Sequence, residues 1–565
     1  MSSTEWFSKA RFGMMLHWGL YSLLAGEYRG EQMGGADNGS GELGEWAQTY
    51  FRIPCREYEK LAEAFNPVGF DAEEYARLAK EAGMNYIVLT SKHHEGFAMF
   101  KSAADRYNVV DATPYGRDIV GQFAAACKKY GLKFGLYYSQ EVDWHDPDGG
   151  AYDCGYKNVR SSWTNNWDFP DNANKDYSRC LERKIKPQVK EILTQYGEIA
   201  LIWFDTPHVI SKAQSDELYA LVKHYQPNCL VNSRIGNGVG DYTSLGDNQV
   251  PGDKKEKSML YETAATLNDT WGYKSYDQHW KSAEEVISLL TRLASRNVNY
   301  LLNIGPDHIG RIPAAAQNVL KEVGAWIKVN GEAVYGTSPS PYNVELSSGP
   351  VTEKDGSLYF VLNKPGNEIK IPGVLTRIAK VELLGTGELK FIQNEDVVSI
   401  PLPNLTGKIY PVLKLSADTP IEVDEGIIEM PERKLQPATA QIEGNIKIGR
   451  ACDIENWRDQ GSLTWTFIVK EKGNYVCELA VNGLHGMEPL ETEIVLTVNG
   501  YTRSLCTKHD KDIDSLISRH HKGLISEAGV IELVEGVNTV SIRLAAPVDR
   551  DMFRFAYLTL RRKQA

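Results

Sequence analysis

The run LIWF at 201–204 is apolar and ends in a lone carboxylate, Asp205. A charge closing such a segment is costly unless it is hydrogen-bonded or put to use. Groups of the same kind close other apolar runs: His17 in MMLHWG, His93 and His94 in VLTSKHHEG, Tyr137 in FGLYYS, Trp203 beside Asp205, Arg234 in LVNSR and Glu262 in SMLYET. Imidazoles, carboxylates and indoles brought together suit sugar chemistry. Hydroxyls pair with acceptors and donors, the apolar face of a pyranose stacks on an indole, and two carboxylates supply the machinery of glycoside hydrolysis. Arg234 serves either as a salt-bridge partner of Asp205 or Glu262 or as a ligand for a hydroxyl, and the sequence leaves both open. The histidines lack the HxH and HExxH spacings of zinc hydrolases, so they read as hydrogen-bond donors to hydroxyls, with no metal and no cofactor expected. No GxSxG elbow, P-loop or zinc-finger spacing occurs.

These residues act together only if the strands that carry them run parallel and end on one side. Residues 71–82 (DAEEYARLAKEA) read as a helix capped by Asp71, with Tyr75, Leu78, Ala79 and Ala82 on one face and Gly83 as its stop. The apolar strand NYIVLT follows at once. The unit recurs: a helix over 117–130 stopped by Gly131 and then KFGLYYS, then a helical segment ending at Tyr196-Gly197 and IALIWFD. Strands without polar alternation, each entered through a glycine after a helix, predict a parallel sheet covered by helices. Candidate strands at 12–19, 85–92, 133–139, 199–205, 229–234, 258–263, 297–305 and 333–337 predict an α/β fold, a (β/α)8 TIM-like barrel whose strand C-termini gather the residues above. The stretch between Arg234 and Ser258 is too rich in Gly, Asp and Pro for a helix, so the barrel is expected to be incomplete. A doubly wound open sheet is the alternative, disfavoured because no GxGxxG follows any strand.

A chain of 565 residues calls for two or three domains. Residues 1–340 are assigned to the barrel, 341–430 to an antiparallel β-domain of short runs such as SLYFVLN and AKVELLG, and 431–565 to a C-terminal β-sandwich, which loosely resembles carbohydrate-binding modules. The sandwich aromatics Trp457, Trp465, Phe553 and Tyr557 are either a sugar platform or core. Alternation puts Trp465 inside, which favours a structural or oligomer-forming module and leaves room for a homo-oligomer. With 62 basic and 74 acidic residues the net charge is −12, a poor match to nucleic acid or an anionic membrane. No stretch approaches the roughly 18 uncharged apolar residues of a spanning helix, and the start lacks the basic-then-apolar pattern of an export signal, so a cytoplasmic location is expected. Eight cysteines without a CxxC pair fit a reducing compartment.

The segments WFSKARFGMMLHWGLYS, YIVLTSKHHEGFAMFKSA, YNVVDATPYGRDIVGQF, GLKFGLYYSQEVDW, IALIWFD, LVNSR, WGY at 271–273 and YLLNIGP closely resemble glycoside hydrolase family 29, the retaining α-L-fucosidases. The resemblance runs from Trp6 to Ser340, and HWG, SKHHEGF, YYS and WFD in that order are specific together. It implies an incomplete barrel and an exo-acting enzyme that removes terminal α-L-fucose from fucosylated glycans by double displacement. It implies Asp205 as the nucleophile. It also implies that His17, Glu45 and Trp46 of GEW, His93, His94, a tyrosine of the Tyr137-Tyr138 pair, Trp203 and Arg234 hold the fucose ring. The family's sixth-strand WE appears here as Tyr261-Glu262, and the Thr-Pro-Glu that many members carry after Gly-Asp-Tyr is replaced by Thr243-Ser244-Leu245-Gly246-Asp247. For the acid/base the choice falls on Glu262, in an apolar strand that favours a protonated carboxyl, over Asp247 and Asp241. The competing readings are a fucose-binding lectin-like protein that has lost hydrolysis and a metal-dependent barrel hydrolase.

Overall fold

Eight parallel strands form the sheet that carries the candidate residues: β1 (Phe12–Leu16), β2 (Tyr86–Lys92), β3 (Lys133–Ser139), β4 (Leu201–Asp205), β5 (Leu230–Val231), β6 (Thr243–Ser244), β7 (Tyr261–Thr266) and β8 (Asn299–Ile304). They are ordered β5-β4-β3-β2-β1-β8-β7-β6. The two ends of that order are joined as well. Asn232, next after β5, bridges Tyr242, just before β6, and Ser233 donates its N–H to the Tyr242 carbonyl at 2.8 Å. Every residue of β1, β2 and β8 is buried, as expected for strands covered on both faces. The computed structural model describes residues 3–34, 43–150, 162–251, 255–342, 345–346, 348–363, 365–424, 432–437, 440–448, 453–455, 457–458, 461–469, 472–484, 491–514, 521–548 and 554–563.

By its internal contacts the chain divides into two compact units, one of Met1–Leu245, Ser258–Leu290 and Val298–Gly331, the other of Gly246–Lys257, Thr291–Asn297 and Glu332–Ala565. In the barrel the longer helices among the described residues are α1 (Ala72–Glu81), α2 (Ile119–Tyr130), α3 (Lys186–Gln195), α4 (Lys212–Tyr225), α5 (Ala283–Ser295) and α6 (Ala314–Asn330). Asp71 caps α1 by accepting the Glu73 N–H, and Asp118 caps α2 by accepting the Gly121 N–H at 2.8 Å. Gly131 stops α2 at φ +64°, a left-handed conformation that costs glycine little. Among the described residues no α-helix separates β5 from β6 or β6 from β7, which is where the barrel is incomplete.

Two expected strands differ from the structure. The run 333–337 is not a strand: Gly331–Ala333 is a 3-10 turn, and the Thr337 hydroxyl bonds back to the Val334 carbonyl at 2.9 Å. The missing barrel strand is β6, two residues inside the Gly- and Asp-rich stretch. It is fixed by hydrogen bonds to its neighbours rather than by any periodicity of its own. The strand expected from Ser258 starts at Tyr261.

In the second unit, Val351–Lys354, Ser357–Val361, Val412–Ser416, Lys380–Leu383 and Gly387–Glu388 form an antiparallel sheet, and Glu368–Ile371, Val397–Pro401 and Ile392–Asn394 another, around a core that includes Leu358, Phe360, Ile371, Val398 and Leu413. Further along, two five-stranded antiparallel sheets enclose Trp457, Trp465, Tyr475, Leu496, Ile542 and Phe555. Trp465 lies inside, as the alternation predicts, and its indole N–H donates to the Gln436 carbonyl at 2.8 Å. Trp457 is equally enclosed and donates to the Gly461 carbonyl at 3.0 Å. Tyr557 is half-buried beneath the Lys434 ammonium, 4.5 Å from its ring centre, and Phe553 lies outside the described residues.

Candidate active site

Asp205 closes β4, level with Ser139 of β3. Its Oδ2 accepts the Tyr137 hydroxyl at 2.8 Å, its Oδ1 accepts Arg234 Nη1 at 3.1 Å, and its backbone N–H donates to Gln140 Oε1 at 2.8 Å. The Arg234 guanidinium sits 4.5 Å over the Trp203 ring, and its second nitrogen donates to the Leu245 carbonyl at 2.9 Å. Arg234 thus partners Asp205 directly. The Asp205 side chain is 14% exposed, whereas Leu201, Ile202, Trp203 and Phe204 are buried. The charge at this strand end is held by two donors and still open to a ligand.

Around Asp205 the aromatic side chains form a continuous wall. Tyr137 lies nearly parallel to Trp203 and to His93, with 5.5 Å between ring centres in each case, and 5.1 Å from His17. Its neighbour Tyr138 points to the other face, as strand alternation requires, and donates to Gln188 Oε1 on α3 at 2.8 Å. Of the pair, Tyr137 is therefore the one at the site. His93 and His94 do not diverge as they would on a regular strand: β2 ends at Lys92, and the rings lie 4.1 Å apart in the turn beyond it. Burial, reinforced by the neighbouring imidazoles and Lys92, holds both pKa values well below the ordinary histidine range. Both are therefore neutral, each with one donor and one acceptor nitrogen.

The second ring of contacts orients these groups. His17 Nδ1 meets Asn303 Oδ1 at 2.7 Å, while the Asn303 amide donates to the Trp271 carbonyl at 2.8 Å. The amide oxygen so placed makes His17 Nδ1 the donor. His94 Nδ1 pairs with the Ser139 hydroxyl at 2.8 Å, and His93 Nδ1 is buried without a hydrogen-bond partner among the described residues. Glu45 and Trp46 lie in the 3-10 turn Gly44–Trp46. Glu45 Oε2 accepts the Gly272 N–H at 2.7 Å, next to Trp271, and Trp46 lies 5.5 Å from His94 and 4.4 Å from Trp163. A Cβ on Gly272 would fall 2.9 Å from the Glu45 nitrogen, so this contact needs glycine.

Glu262 is the second residue of β7, and the stagger of the strands decides where its side chain goes. On one side it pairs with Asn299 at the foot of β8, on the other with Ser244, which closes β6. Its carboxylate therefore meets Tyr86, at the foot of β2, and Trp203, near the end of β4. Tyr86 Oη donates to Oε2 at 2.7 Å and the Trp203 indole to Oε1 at 2.9 Å. The residue is fully buried, and burial pushes its pKa up to about 7 against the lowering by those two hydrogen bonds.

The remaining acid/base candidates part company. Asp241 accepts the Tyr219 hydroxyl at 2.8 Å, Lys223 Nζ at 2.7 Å and the Val231 N–H at 2.8 Å, so its carboxylate ties α4 to β5. Asp247 lies in Gly246–Lys257, two residues beyond Leu245. The sequence does not single out Asn303, Gln140, Tyr86, Trp163 or Trp144, whose ring lies 5.4 Å from that of His94. Asn303 carried the same signal as Asp205, a polar residue near the end of an apolar strand, whereas Tyr86 at the head of one reads simply as core.

The family described as Alpha-L-fucosidase matches residues 1–332. The chain belongs to the α-L-fucosidase family. It is a glycoside hydrolase, and the family implies fucosylated glycans as substrates. The tissue alpha-L-fucosidase of Rattus norvegicus is 30% identical over 446 residues, 72% of this chain and 87% of that protein. Among solved structures, the alpha-L-fucosidase of Vibrio sp. strain EJY3 superposes over 100% of this chain and 98% of its own, with a TM-score of 0.84 at 29% identity. The Lactobacillus casei fucosidase AlfC, in complex with α-L-fucose product, is 50% identical with a TM-score of 0.55, covering 58% of this chain and 99% of its own. Among the described residues no helix is long and apolar enough to cross a membrane.

Proposed function

We propose that this fucosidase is an exo-acting, retaining enzyme with Asp205 as its nucleophile. The observation that carries the reading is the placement of Asp205: a carboxylate at a barrel strand end, part-exposed, oriented by Tyr137 and Arg234. In the first step an Asp205 oxygen attacks C1 of a terminal α-L-fucoside while the glycosidic oxygen takes a proton from the acid and leaves, which forms a β-fucosyl ester. In the second, the same acid/base takes a proton from water, whose oxygen attacks C1 and expels the carboxylate, restoring the α-configuration. Neutral His93, whose buried Nδ1 has no partner among the described residues, and His17, oriented by Asn303, supply partners for the sugar hydroxyls. Glu45, Trp46, His94 and Trp203 complete the ring-holding set.

The acid/base is assigned to Asp247 rather than Glu262. A proton donor must touch the leaving oxygen. Glu262 has a suitably raised pKa, yet it is fully enclosed with both oxygens turned to Tyr86 and Trp203, which suits a residue that fixes the Trp203 indole. The Asp241 carboxylate is taken up by α4 and β5. Asp247 follows within two residues of the carbonyl that holds Arg234, itself the partner of Asp205.

The test uses 4-nitrophenyl α-L-fucoside. The wild type should release α-fucose first, Asp205→Gly should be nearly silent, and azide should rescue it to β-fucosyl azide. Azide should rescue Asp247→Ala to α-fucosyl azide. Normal turnover in Asp205→Gly contradicts the nucleophile, and rescue of Glu262→Ala alone returns the acid/base to Glu262.

A further inference from the structure

The segment that follows the nucleophile is strained and clamped. Thr206, next after Asp205, has φ +59° and is buried. A β-branched residue in the left-handed region is an outlier, and Pro207 behind it narrows its freedom further. Such a conformation persists only when its surroundings over-determine it.

Two consecutive residues after β3 supply that constraint. Gln140 is fully buried; its Oε1 accepts the Asp205 N–H at 2.8 Å and its Nε2 donates to the Arg234 carbonyl at 3.0 Å. One amide thereby fixes the backbones of both residues whose side chains form the Asp205–Arg234 pair. Glu141 is fully buried too. Its Oε2 accepts the N–H groups of His208 and Ile210 at 2.7 and 2.9 Å, and its Oε1 that of Val209 at 2.7 Å. The Thr206 hydroxyl bonds to the Asp205 carbonyl at 2.8 Å. A buried carboxylate spent on three successive N–H groups is a large investment for one surface turn, and it falls directly beyond the nucleophile.

We propose that Gln140 and Glu141 are positioning residues for Asp205: by holding residues 206–210 in the strained turn they keep its carboxylate at the angle from which it attacks. The proposal rests on the nucleophile reading above. A carboxylate that drifts by about an ångström loses near-attack geometry at a cost of roughly 100-fold, while His17, Glu45 and His93, which lie outside β4 and the turn after it, are untouched.

The test compares Glu141→Gln and Thr206→Gly with the wild type. Active sites are counted by stoichiometric fluoride release from 2-deoxy-2-fluoro-α-L-fucosyl fluoride, kcat for 4-nitrophenyl α-L-fucoside is expressed per counted site, and the Kd of fucose is measured by calorimetry. Glu141→Gln should lower kcat per site about 100-fold and Thr206→Gly, which releases the strain, about tenfold, each with the fucose Kd within about threefold of wild type. A per-site kcat within threefold of wild type in both variants overturns the proposal. So does a parallel loss of kcat and fucose affinity, which marks Glu141 as support for the whole site. Failure of the nucleophile reading shows separately, as a wild type that turns over the aryl fucoside but releases no stoichiometric fluoride.

Discussion

Glu262 makes the barrel's stability depend on pH in a calculable direction. Its carboxyl titrates at about 7 in the folded chain against an ordinary value of 4.5. The folded state therefore holds an extra proton between those values. The stability this contributes is fully present below pH 4.5 and is lost as the pH rises through 7, by about 2 kcal/mol between pH 5 and pH 8. Glu95, fully buried and pushed by burial to about 8, acts in the same direction. In Glu262→Gln the amide oxygen can still accept from Trp203 while the amide nitrogen donates to Tyr86, and nothing titrates. Urea unfolding at pH 5 and pH 8 should show the variant gaining about 2 kcal/mol on the wild type at the higher pH. Equal pH dependence in the two proteins contradicts the burial argument. At this scale Asp205, His17 and Arg234 were legible because a polar residue closing an apolar run has few cheap explanations. Glu262 was legible as a buried acid but not as an enclosed one, because its partners are set by the stagger of the whole ring of strands.

Between elements, the strand ends are tied by a buried charge cluster. Asp143, in the loop after β3, accepts Lys92 Nζ from the end of β2 at 2.9 Å and Lys184 Nζ, from the turn that leads into α3, at 2.8 Å; Asp143 and Lys92 are fully buried and Lys184 nearly so. The two ammonium groups overcome the effect of burial and hold the Asp143 carboxyl well below the usual range. Lys92 precedes His93 and His94, and the Trp144 N–H, next after Asp143, donates to the His94 carbonyl at 2.7 Å. Asp143→Ala leaves two buried cations without their shared partner and should cost about 3–5 kcal/mol, read as an earlier unfolding midpoint in urea. An unchanged midpoint would show that the cluster does not hold the loops. The element grammar itself was legible: glycine-stopped helices feeding apolar strands predicted the parallel sheet, and the Gly- and Asp-rich stretch predicted the missing helices. What escaped was β6, whose two residues are recruited by β5 and β7. The run AVYGT at 333–337 has strand-like composition yet is not a strand, because such a run forms a strand only where a neighbour offers free backbone groups.

Across the whole molecule, Asp205 and the residues proposed to hold the sugar lie in the first unit. Residues 1–332 carry the family match, and a fucosidase that covers 58% of this chain spans 99% of its own length, so a family member can be little more than half as long as this chain. Trp457 and Trp465 are spent on core packing and on hydrogen bonds to backbone carbonyls, which removes two of the four aromatics that could have formed a sugar platform. Retention through a covalent intermediate on Asp205 can be checked by trapping that intermediate. The full chain is incubated with 2-deoxy-2-fluoro-α-L-fucosyl fluoride, digested, and its peptides weighed. One fluorofucosyl group per chain is expected, carried by the peptide containing LIWFD and esterified to Asp205, with none on Asp205→Gly. A label on any other carboxylate, or turnover that yields β-fucose first, would contradict it.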